Sequence, residues 1–256
     1  MDRYDPNLSV RLAVSDEDLA AAARLRYRVF VKELGGDGAL VDHDAGLERD
    51  RFDPFFDHLL LIDARRDPKA LDHVVGVYRV MRDDQARAAG QFYSEDEYDL
   101  SVLRQSDRRL LELGRSCLDR DYRGGAALFQ LWTGVADYVA QHGIEVLFGV
   151  ASFHGTDVTR LAEPLTLLHT QYLAPPALRV RAVEARFQPM LLTDPARIDR
   201  VAAMRQIPSL IKSYLKLGGF VGEGAFVDQP FNTTDVCLVM DTERLTSRAR
   251  SRFSAG

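Results

Sequence analysis

Charged side chains interrupt several segments of this sequence whose other residues are apolar. Arg26 lies in the apolar stretch of a predicted helix, Arg79 in the strand-like run VVGVYRVM, and Glu112 and Arg115 in the run LLELGRSCL. Charged groups are seldom buried without a partner, and an arginine–carboxylate pair holds a planar geometry. The pattern predicts either a structural ion-pair network or a cleft for a small zwitterion, in which carboxylates bind the amine and arginines bind the carboxylate.

A long segment without regular periodicity, residues 35–57, supplies further acids. Asp50, Asp53 and Asp57 lie in its second half, among several phenylalanines. An irregular loop of this length inside a compact domain is uncommon and is usually functional. We therefore expect the loop to close over the cleft, with its aspartates gripping the ammonium groups of an acceptor.

A predicted strand, residues 110–118, leads through a glycine turn into a helix at residues 125–142. The turn contains Arg123, Gly124 and Gly125. A helix N-terminus presents unpaired N–H groups at the positive end of the helix dipole, which suits a phosphate. An ordinary strand–helix turn has the same pattern, so both interpretations stay open at this point.

The remaining periodicities predict the elements that position these groups. The expected strands are residues 9–14, 58–65, 73–81, 146–153 and 178–187, with a last one at VCLVM, and residues 58–65 and 73–81 are expected to pair antiparallel. The expected helices are residues 17–34, capped by Ser15 or Asp16 with Asp18 as a capping-box acid, residues 156–172, and residues 196–216, interrupted near Pro208. These patterns predict one α/β domain, residues 1–256.

Composition excludes several classes of protein. With 256 residues and 46% hydrophobic residues, the chain is long enough to bury a large core, and it contains no run of about 20 apolar residues that would span a membrane. Its two cysteines are far apart, which argues against a disulfide scaffold or a zinc site and fits a reducing cytoplasm. A net charge of −5 disfavours nucleic acid as a partner.

Several motifs together resemble a known family. The segments RLRYRVFVKEL, FDPFFDHLLL, GVYRVM and ELGRSCL are similar to the autoinducer-synthase branch of the GNAT acyltransferase fold. The further segments LFGVASFHGTD, LAPPALRVRA, IPSLIKSYLKLGGFVGEGAFVD and FNTTDV make the chain resemble the ornithine-lipid N-acyltransferases from Arg24 to about Asp241. The resemblance implies a GNAT-like α/β fold, with a central mixed sheet flanked by helices and residues 190–241 as a family-specific extension of helices and strands.

The resemblance also implies an activity and a set of site residues. The activity is transfer of a 3-hydroxyacyl chain from acyl carrier protein to the α-amine of ornithine or a related amino acid, which makes lyso-ornithine lipid. Glu112 and Arg115 would be catalytic. Glu112 would accept the amine proton, directly or through water, and a role as an ion-pair partner of Arg26 or Arg79 stays open. The matching positions expected to bind the amino acid are Arg26, Phe30, Asp50, Asp53 and Arg79. Two further residues are expected there from their own type and position, Asp57 as an acid of the loop and His154 as a polar group directly after the predicted strand 146–153.

The donor arm, the 4′-phosphopantetheine of acyl carrier protein, is expected along the end of the central strand and the glycine turn. We expect Cys117 to be a packed core thiol rather than a nucleophile. The GNAT phosphate signature R/Q-x-x-G-x-G/A fits Arg123 only with Ala126 and Leu128 in the small-residue positions. This favours a carrier protein, whose arm brings a single phosphate, over coenzyme A. The residues expected to bind the arm are Ser116, Cys117, Leu118, Arg123, Gly124 and Gly125.

Two other functions stay open. One is an acyl-homoserine-lactone synthase, which uses S-adenosylmethionine as acceptor; the long chain beyond Arg186 and the missing lid tryptophan count against it. The other is a catalytically silent GNAT-like module that binds a carrier protein or a membrane, and the charged residues in the apolar segments count against it. We expect no metal, no tightly bound cofactor and a cytoplasmic location. The amphipathic helix at residues 207–217 is suited to contact the inner-membrane surface.

Overall fold

The computed structural model describes residues 4–123 and 126–244. The helices and strands, in chain order, are β1 (Leu8–Leu12), α1 (Asp16–Arg26), β2 (Asp57–Asp63), β3 (Val74–Arg82), α2 (Asp83–Ala89), β4 (Tyr98–Asp99), α3 (Ser101–Arg104), β5 (Leu110–Leu118), α4 (Ala126–His142), β6 (Val146–His154), α5 (Ala162–Tyr172), β7 (Arg181–Ala182), β8 (Phe187–Gln188), α6 (Arg200–Gln206), α7 (Ser209–Lys216), β9 (Phe220–Val221), β10 (Ala225–Asp228) and β11 (Thr233–Asp241). No helix in the described ranges is long and apolar enough to cross a membrane.

The chain divides into two compact units, each with its own part of the sheet. The described residues of 4–90 and 113–143 form the first unit, and residues 91–112 and 144–244 form the second. Strand β5 contributes residues 113–118 to the first unit and residues 110–112 to the second. The prediction that residues 190–241 form a family-specific extension stays a prediction; in the structure they belong to the second unit.

In the first unit the strand order is β1-β2-β3-β5. Strands β2 and β3 pair antiparallel, which confirms the predicted hairpin. Successive strand residues face opposite sides of a sheet. Accordingly, Leu60 packs with Leu25 of α1 in one core cluster, whereas Leu59 lies beside Gly134 of α4. Helices therefore cover both faces of this part of the sheet.

Helix α1 begins as predicted and ends differently. The Ser15 side chain caps it by accepting the Asp18 N–H, but the predicted capping box does not form. The reason is that the Asp18 carboxylate is occupied by the Arg11 guanidinium and the Val14 N–H. Beyond Arg26 the helix continues as a π-helix, Tyr27–Glu33. Such wide turns are rare in proteins, and many of those that occur lie near functional sites.

In the second unit the strand order is β5-β6-β11-β10-β8, with β9 also paired to β11. Strands β5 and β6 run parallel, and the other pairs are antiparallel, so the sheet is mixed as predicted. Strands β6 and β11 pair along their whole lengths, from Val146 opposite Asp241 to His154 opposite Thr233. Strands β4 and β7 form a separate two-stranded sheet.

Three predicted elements of the second unit are wrong in extent, and one of them, the helix expected at residues 196–216, begins only at Arg200. The strand expected at residues 178–187 is broken, because β7 pairs with β4, β8 pairs with β10, and a 3-10 turn at Glu184–Arg186 separates them. The helix expected from residue 156 begins only at Ala162. The Asp157 carboxylate accepts both the N–H and the hydroxyl of Thr159, and this local turn competes with the helix. The predicted interruption at Pro208 is confirmed, since α6 and α7 end and begin on either side of it.

Candidate functional site

The first unit brings together three arginines and three carboxylates, which we call the arginine–carboxylate cluster. Its arginines come from the end of α1, from β3 and from β5, and its acids come from the loop before β2. The members are Arg26, Arg79, Arg115, Glu48, Asp50 and Asp53. Five of the six were predicted site residues, and Glu48 was not.

Glu48 lies deepest among the acids and joins two arginines. Its Oε2 accepts a hydrogen bond from Arg26 Nε, and its Oε1 accepts one from Arg115 Nε at 3.1 Å. The Glu48 N–H donates to the Ala23 carbonyl at 3.0 Å, which ties this part of the loop to α1. Hydrogen bonds to the side chain and from the backbone of Glu48 therefore both fix its position.

Asp50 and Asp53, the two more exposed acids, bind all three arginines of the cluster. Asp53 Oδ1 accepts Arg26 Nη1 at 2.5 Å and Arg79 Nη1 at 2.6 Å. Both Asp50 oxygens accept Arg79 Nη1, at 2.7 and 2.8 Å, and Arg115 Nη2 lies 3.2 Å from Asp50 Oδ2. The loop is fixed internally as well, because Asp53 Oδ2 accepts the Asp50 N–H.

The members of the cluster differ in exposure. The side chains of Arg26, Arg79 and Glu48 are 1%, 0% and 3% exposed, whereas those of Asp50, Asp53 and Arg115 are 17%, 19% and 15% exposed. A ligand that approaches from solvent therefore meets two carboxylates and one guanidinium. This arrangement can bind a zwitterion through charge-assisted hydrogen bonds of both signs.

The arginines keep the acids of the cluster ionised. Burial raises the pKa of Asp53, but Arg26 and Arg79 outweigh it and hold that pKa well below its usual range. For Glu48 and Asp50 burial likewise raises the pKa, and the neighbouring arginines lower it further than burial raises it. The cluster is therefore an array of fixed charges around neutral pH.

His58 borders the cluster as an uncharged group. Its Nε2 lies 3.2 Å from the Asp53 carbonyl and 3.9 Å from Asp53 Oδ1, and the side chain is 3% exposed. Burial, helped by the charges of Arg26 and Arg79, lowers the pKa of His58 from 6.5 to about 4. The imidazole is neutral at pH 7 and supplies polarity without charge.

Stability is expected to fall as the pH is lowered from 6.5 to about 4, the pKa of His58. In this window the unfolded chain binds a proton at His58 that the folded chain does not, so protons favour unfolding. Thermal melts across this range measure the effect. His58→Gln should flatten the slope, and His154→Gln, at an exposed histidine, should leave it unchanged. Equal slopes in wild type and His58→Gln would contradict the assignment.

Aromatic rings and an unusual backbone shape the walls of the cluster. The guanidinium of Arg79 lies 4.1 Å from the centre of the Phe56 ring, and that of Arg115 lies 5.8 Å from the predicted site residue Phe30. Arg115 has φ of +48°, a left-handed conformation that is uncommon for a residue other than glycine. This local break in β5 accompanies a side chain that reaches Glu48 and Asp50.

The other predicted acid of the loop, Asp57, takes part in a different set of contacts. Asp57 Oδ2 accepts hydrogen bonds from Arg82 Nη1 at 2.7 Å and from the Tyr138 hydroxyl at 2.6 Å. Its side chain is 32% exposed. Asp57 therefore ties the start of β2 to α4, and its predicted role in substrate binding stays a prediction.

Glu112 is held within the second unit. Its Oε1 accepts the Ser94 N–H at 2.6 Å and the Ser94 hydroxyl, and its Oε2 accepts the Tyr93 N–H at 2.8 Å. The side chain is buried. These donors fix the carboxylate at the start of the short 3-10 helix Tyr93–Asp96. Each carboxylate oxygen has two lone pairs, so accepting these bonds does not exclude a further proton.

Of the residues predicted to bind the donor arm, Cys117 is buried in the core between α1 and the sheet. Burial raises the pKa of its thiol to about 12, which confirms the expected inert core cysteine. Ser116 and Leu118 are half-buried on β5. Arg123 is 45% exposed and pairs with Glu33 at 2.6 Å. The predicted donor-binding residues Gly124 and Gly125 lie outside the described residues.

Two features of the second unit bear on the remaining predictions. His154 is exposed at the end of β6, opposite Thr233. Carboxylate oxygens of Glu97, Asp228 and Asp235 lie within 4.8 Å of one another, which the sequence did not indicate. Acidic groups of this kind occur without an ion, so the expectation of a metal-free protein stays a prediction.

Comparisons with known proteins identify the family of the chain. The family model described as an acetyltransferase (GNAT) domain matches residues 25–133. An L-ornithine N(alpha)-acyltransferase of Rhodobacter capsulatus is 56% identical over 245 residues, covering 96% of this chain and 94% of that protein. One of Brucella abortus is 41% identical over 251 residues, covering 97% and 89%.

Solved structures support the fold. The N-acyl amino acid synthase FeeM from uncultured soil microbes has a TM-score of 0.56 at 13% identity, covering 96% of this chain and 99% of its own. The CoA-dependent acyl-homoserine lactone synthase BjaI has a TM-score of 0.53 at 16% identity, covering 96% and 89%. The predicted fold and family are confirmed: the chain belongs to the L-ornithine N(alpha)-acyltransferases and is an acyltransferase of the GNAT fold.

Proposed function

We propose that the protein transfers an acyl chain from a carrier-protein thioester to the α-amino group of L-ornithine, and that the arginine–carboxylate cluster binds this acceptor. The observation that carries the acceptor assignment is the nearly full-length relationship to an L-ornithine N(alpha)-acyltransferase at 56% identity. The cluster supplies both signs of charge that a free amino acid requires.

The exposed members of the cluster suit the acceptor. The guanidinium of Arg115 is positioned to bind its carboxylate, and the oxygens of Asp50 and Asp53 are positioned to bind ammonium groups. All three are partly exposed, whereas the arginines behind them are buried. The acceptor would replace water at this open side rather than break the inner ion pairs, which lowers the cost of binding.

The reaction requires a neutral amine, a polarised thioester carbonyl and a held geometry. In the proposed sequence, the amine nitrogen attacks the carbonyl carbon, the nitrogen loses a proton to Glu112, and the carbon–sulfur bond breaks. The leaving thiolate then takes the proton from Glu112. Backbone N–H groups of Ser116 to Leu118 are proposed to stabilise the oxyanion.

One assay tests the assignment. The purified protein is incubated with L-ornithine or, separately, with S-adenosylmethionine as acceptor, and with either 3-hydroxyacyl-carrier protein or the matching acyl-coenzyme A as donor. The products are identified by mass spectrometry. N-acylornithine formed with the carrier-protein donor is expected. An acyl-homoserine lactone from S-adenosylmethionine, or no product from any donor, would overturn the proposal in favour of one of the two alternatives.

Asp53→Asn is expected to raise the KM for ornithine by about tenfold and to change the donor KM little, because one of two carboxylates facing the acceptor loses its charge. Steady-state kinetics with each substrate varied in turn measure both constants. Asp157→Asn, at an exposed acid paired with Arg160, is the matched control and should change neither. Equal changes in the two constants would assign Asp53 a structural role only.

Arg123→Glu is expected to raise the KM for the acyl carrier protein several-fold. Carrier proteins are acidic, and charge reversal turns attraction into repulsion at an exposed guanidinium. The effect should shrink as ionic strength rises past about 0.15 M, where the screening length is about 8 Å. Arg160→Glu is the control at an arginine that is more exposed, 85% against 45% for Arg123. Arg123→Glu and Arg160→Glu should use a short acyl-pantetheine equally well. A loss of activity with acyl-pantetheine in Arg123→Glu alone would contradict docking of the carrier protein through Arg123.

Contact with the inner-membrane surface also stays a proposal. The predicted membrane-contacting helix, α7, buries Ile211, Tyr214 and Leu215. These three apolar residues are therefore engaged within the second unit, whereas Leu210 is half-buried. The proposed membrane contact uses mainly the polar face, with Lys212 and Lys216, rather than insertion of the apolar one.

A further inference from the structure

The arginine–carboxylate cluster is balanced in charge among the residues that the structure describes. Three guanidiniums face three carboxylates. His58 at its border adds no charge around neutral pH. Arg49 and Arg51, beside the acids in the sequence, are exposed, where water and salt screen them. The net charge that an acceptor meets therefore depends on each member of the cluster.

Glu48 differs from the other two acids in its position. It is 3% exposed, against 17% for Asp50 and 19% for Asp53. Its carboxylate binds Arg26 and Arg115 from the inner side of the cluster. Glu48 thus offsets positive charge from a place that the acceptor does not reach, and Asp50 and Asp53 remain on the open side.

We propose that Glu48 is a positioning residue that determines specificity for a cationic amino acid. Its charge offsets the inner arginines, so that Asp50 and Asp53 keep enough negative potential to bind the second ammonium group of a dibasic acceptor. This inference rests on the proposed function, which makes ornithine the acceptor. Without the Glu48 carboxylate the cluster has one positive charge in excess, and it repels a cationic acceptor more than a neutral one.

The test compares L-ornithine with L-norvaline, which has the same carbon chain without the terminal amine. The KM for ornithine and the inhibition constant of norvaline are measured for wild type and Glu48→Gln. The ornithine KM is expected to rise about tenfold more than the norvaline constant, as follows from one unit charge at about 10 Å in an effective dielectric of about 20, partly screened. Equal changes in both constants would overturn the inference.

Arg115→Gln tests the same idea with the opposite sign and does not depend on Glu48→Gln folding. Removing this positive charge should weaken the binding of norvaline more than the binding of ornithine. Both amino acids lose a partner for their carboxylate, and only ornithine gains from the added negative potential. A shift in the same direction as Glu48→Gln, or no shift in the ratio, would overturn the inference.

Two controls separate specificity from stability. Glu48→Asp keeps the charge and should keep the wild-type ratio of the two constants even if both rise. Asp18→Asn removes a buried acid that binds Arg11 outside the cluster, so it should lower the Tm without moving the ratio. Failure of the wild type to acylate ornithine would overturn the proposed function. If the wild type acylates ornithine but Glu48→Gln and Arg115→Gln both keep the wild-type ratio of the ornithine and norvaline constants, this inference alone would be overturned.

Discussion

Glu112→Gln is expected to reduce kcat by about a hundredfold or more, the usual contribution of a general base. An amide nitrogen cannot accept the amine proton. The amide can also accept hydrogen bonds through one atom only, whereas Ser94 and Tyr93 donate to both carboxylate oxygens. The Tm should therefore fall as well. Turnover is measured with saturating donor and acceptor at a temperature where circular dichroism shows the variant folded.

Ser94→Ala is the matched control for this prediction. It removes the hydroxyl that donates to Glu112 and keeps the carboxylate. If Glu112 accepts the proton, Ser94→Ala should lower the Tm comparably and reduce kcat far less. If both variants lose activity in proportion to their loss of Tm, Glu112 acts as a strut for the 3-10 helix Tyr93–Asp96. A stable and active Glu112→Gln would contradict both roles.

Arg26→Met is expected to have the largest effect on stability. It removes a fully buried guanidinium that binds Glu48 and Asp53, and breaking a buried ion pair from one side costs about 3–5 kcal/mol. Burial lowers the pKa of Arg26, but Glu48 and Asp53 raise it by more than burial lowers it. Arg26 is therefore charged, and the substitution removes a buried charge. The Tm should fall by about 10 °C, read from thermal denaturation.

Arg160→Met provides the comparison, since this arginine is 85% exposed and pairs only with Asp157 among the described residues. Exposed pairs contribute about 0–1 kcal/mol, so its Tm should stay close to that of the wild type. A similar small change in both variants would show that the cluster tolerates the loss of Arg26 as a partner of Glu48 and Asp53, and it would remove the basis for treating Arg26 as the inner anchor.

The sequence was informative wherever a charged residue broke an apolar pattern. Arg26, Arg79 and Arg115 were predicted in this way, because a charge at a core position must find a partner. Glu48 gave no such signal. It lies in the run ERDRFD, which alternates acids and arginines and is typical of a solvated loop, yet its N–H donates to the Ala23 carbonyl in α1 and its side chain is buried. Such a contact between distant segments has no local signature.

Backbone conformation was the second feature that the sequence did not predict. The left-handed φ of Arg115 occurs at a residue type that carries no preference for it. The π-helix Tyr27–Glu33 likewise follows a segment with ordinary helical spacing. At Arg115 the deviation accompanies ion pairs with Glu48 and Asp50, two residues that are distant in the sequence. Sequence patterns predict the elements but not these two departures from regular geometry.

The pairing of β6 with β11 has a consequence for how the protein is made on the ribosome. Synthesis proceeds from the N-terminus, and β11 follows β6 by nearly eighty residues, so β6 emerges long before its antiparallel partner. The residues of the first unit, up to 143, are complete while β6 is still unpaired at one edge. Unpaired strand edges invite aggregation. The nascent chain should therefore need chaperone protection in this interval, and slowing translation after residue 154 should lower the yield of native protein.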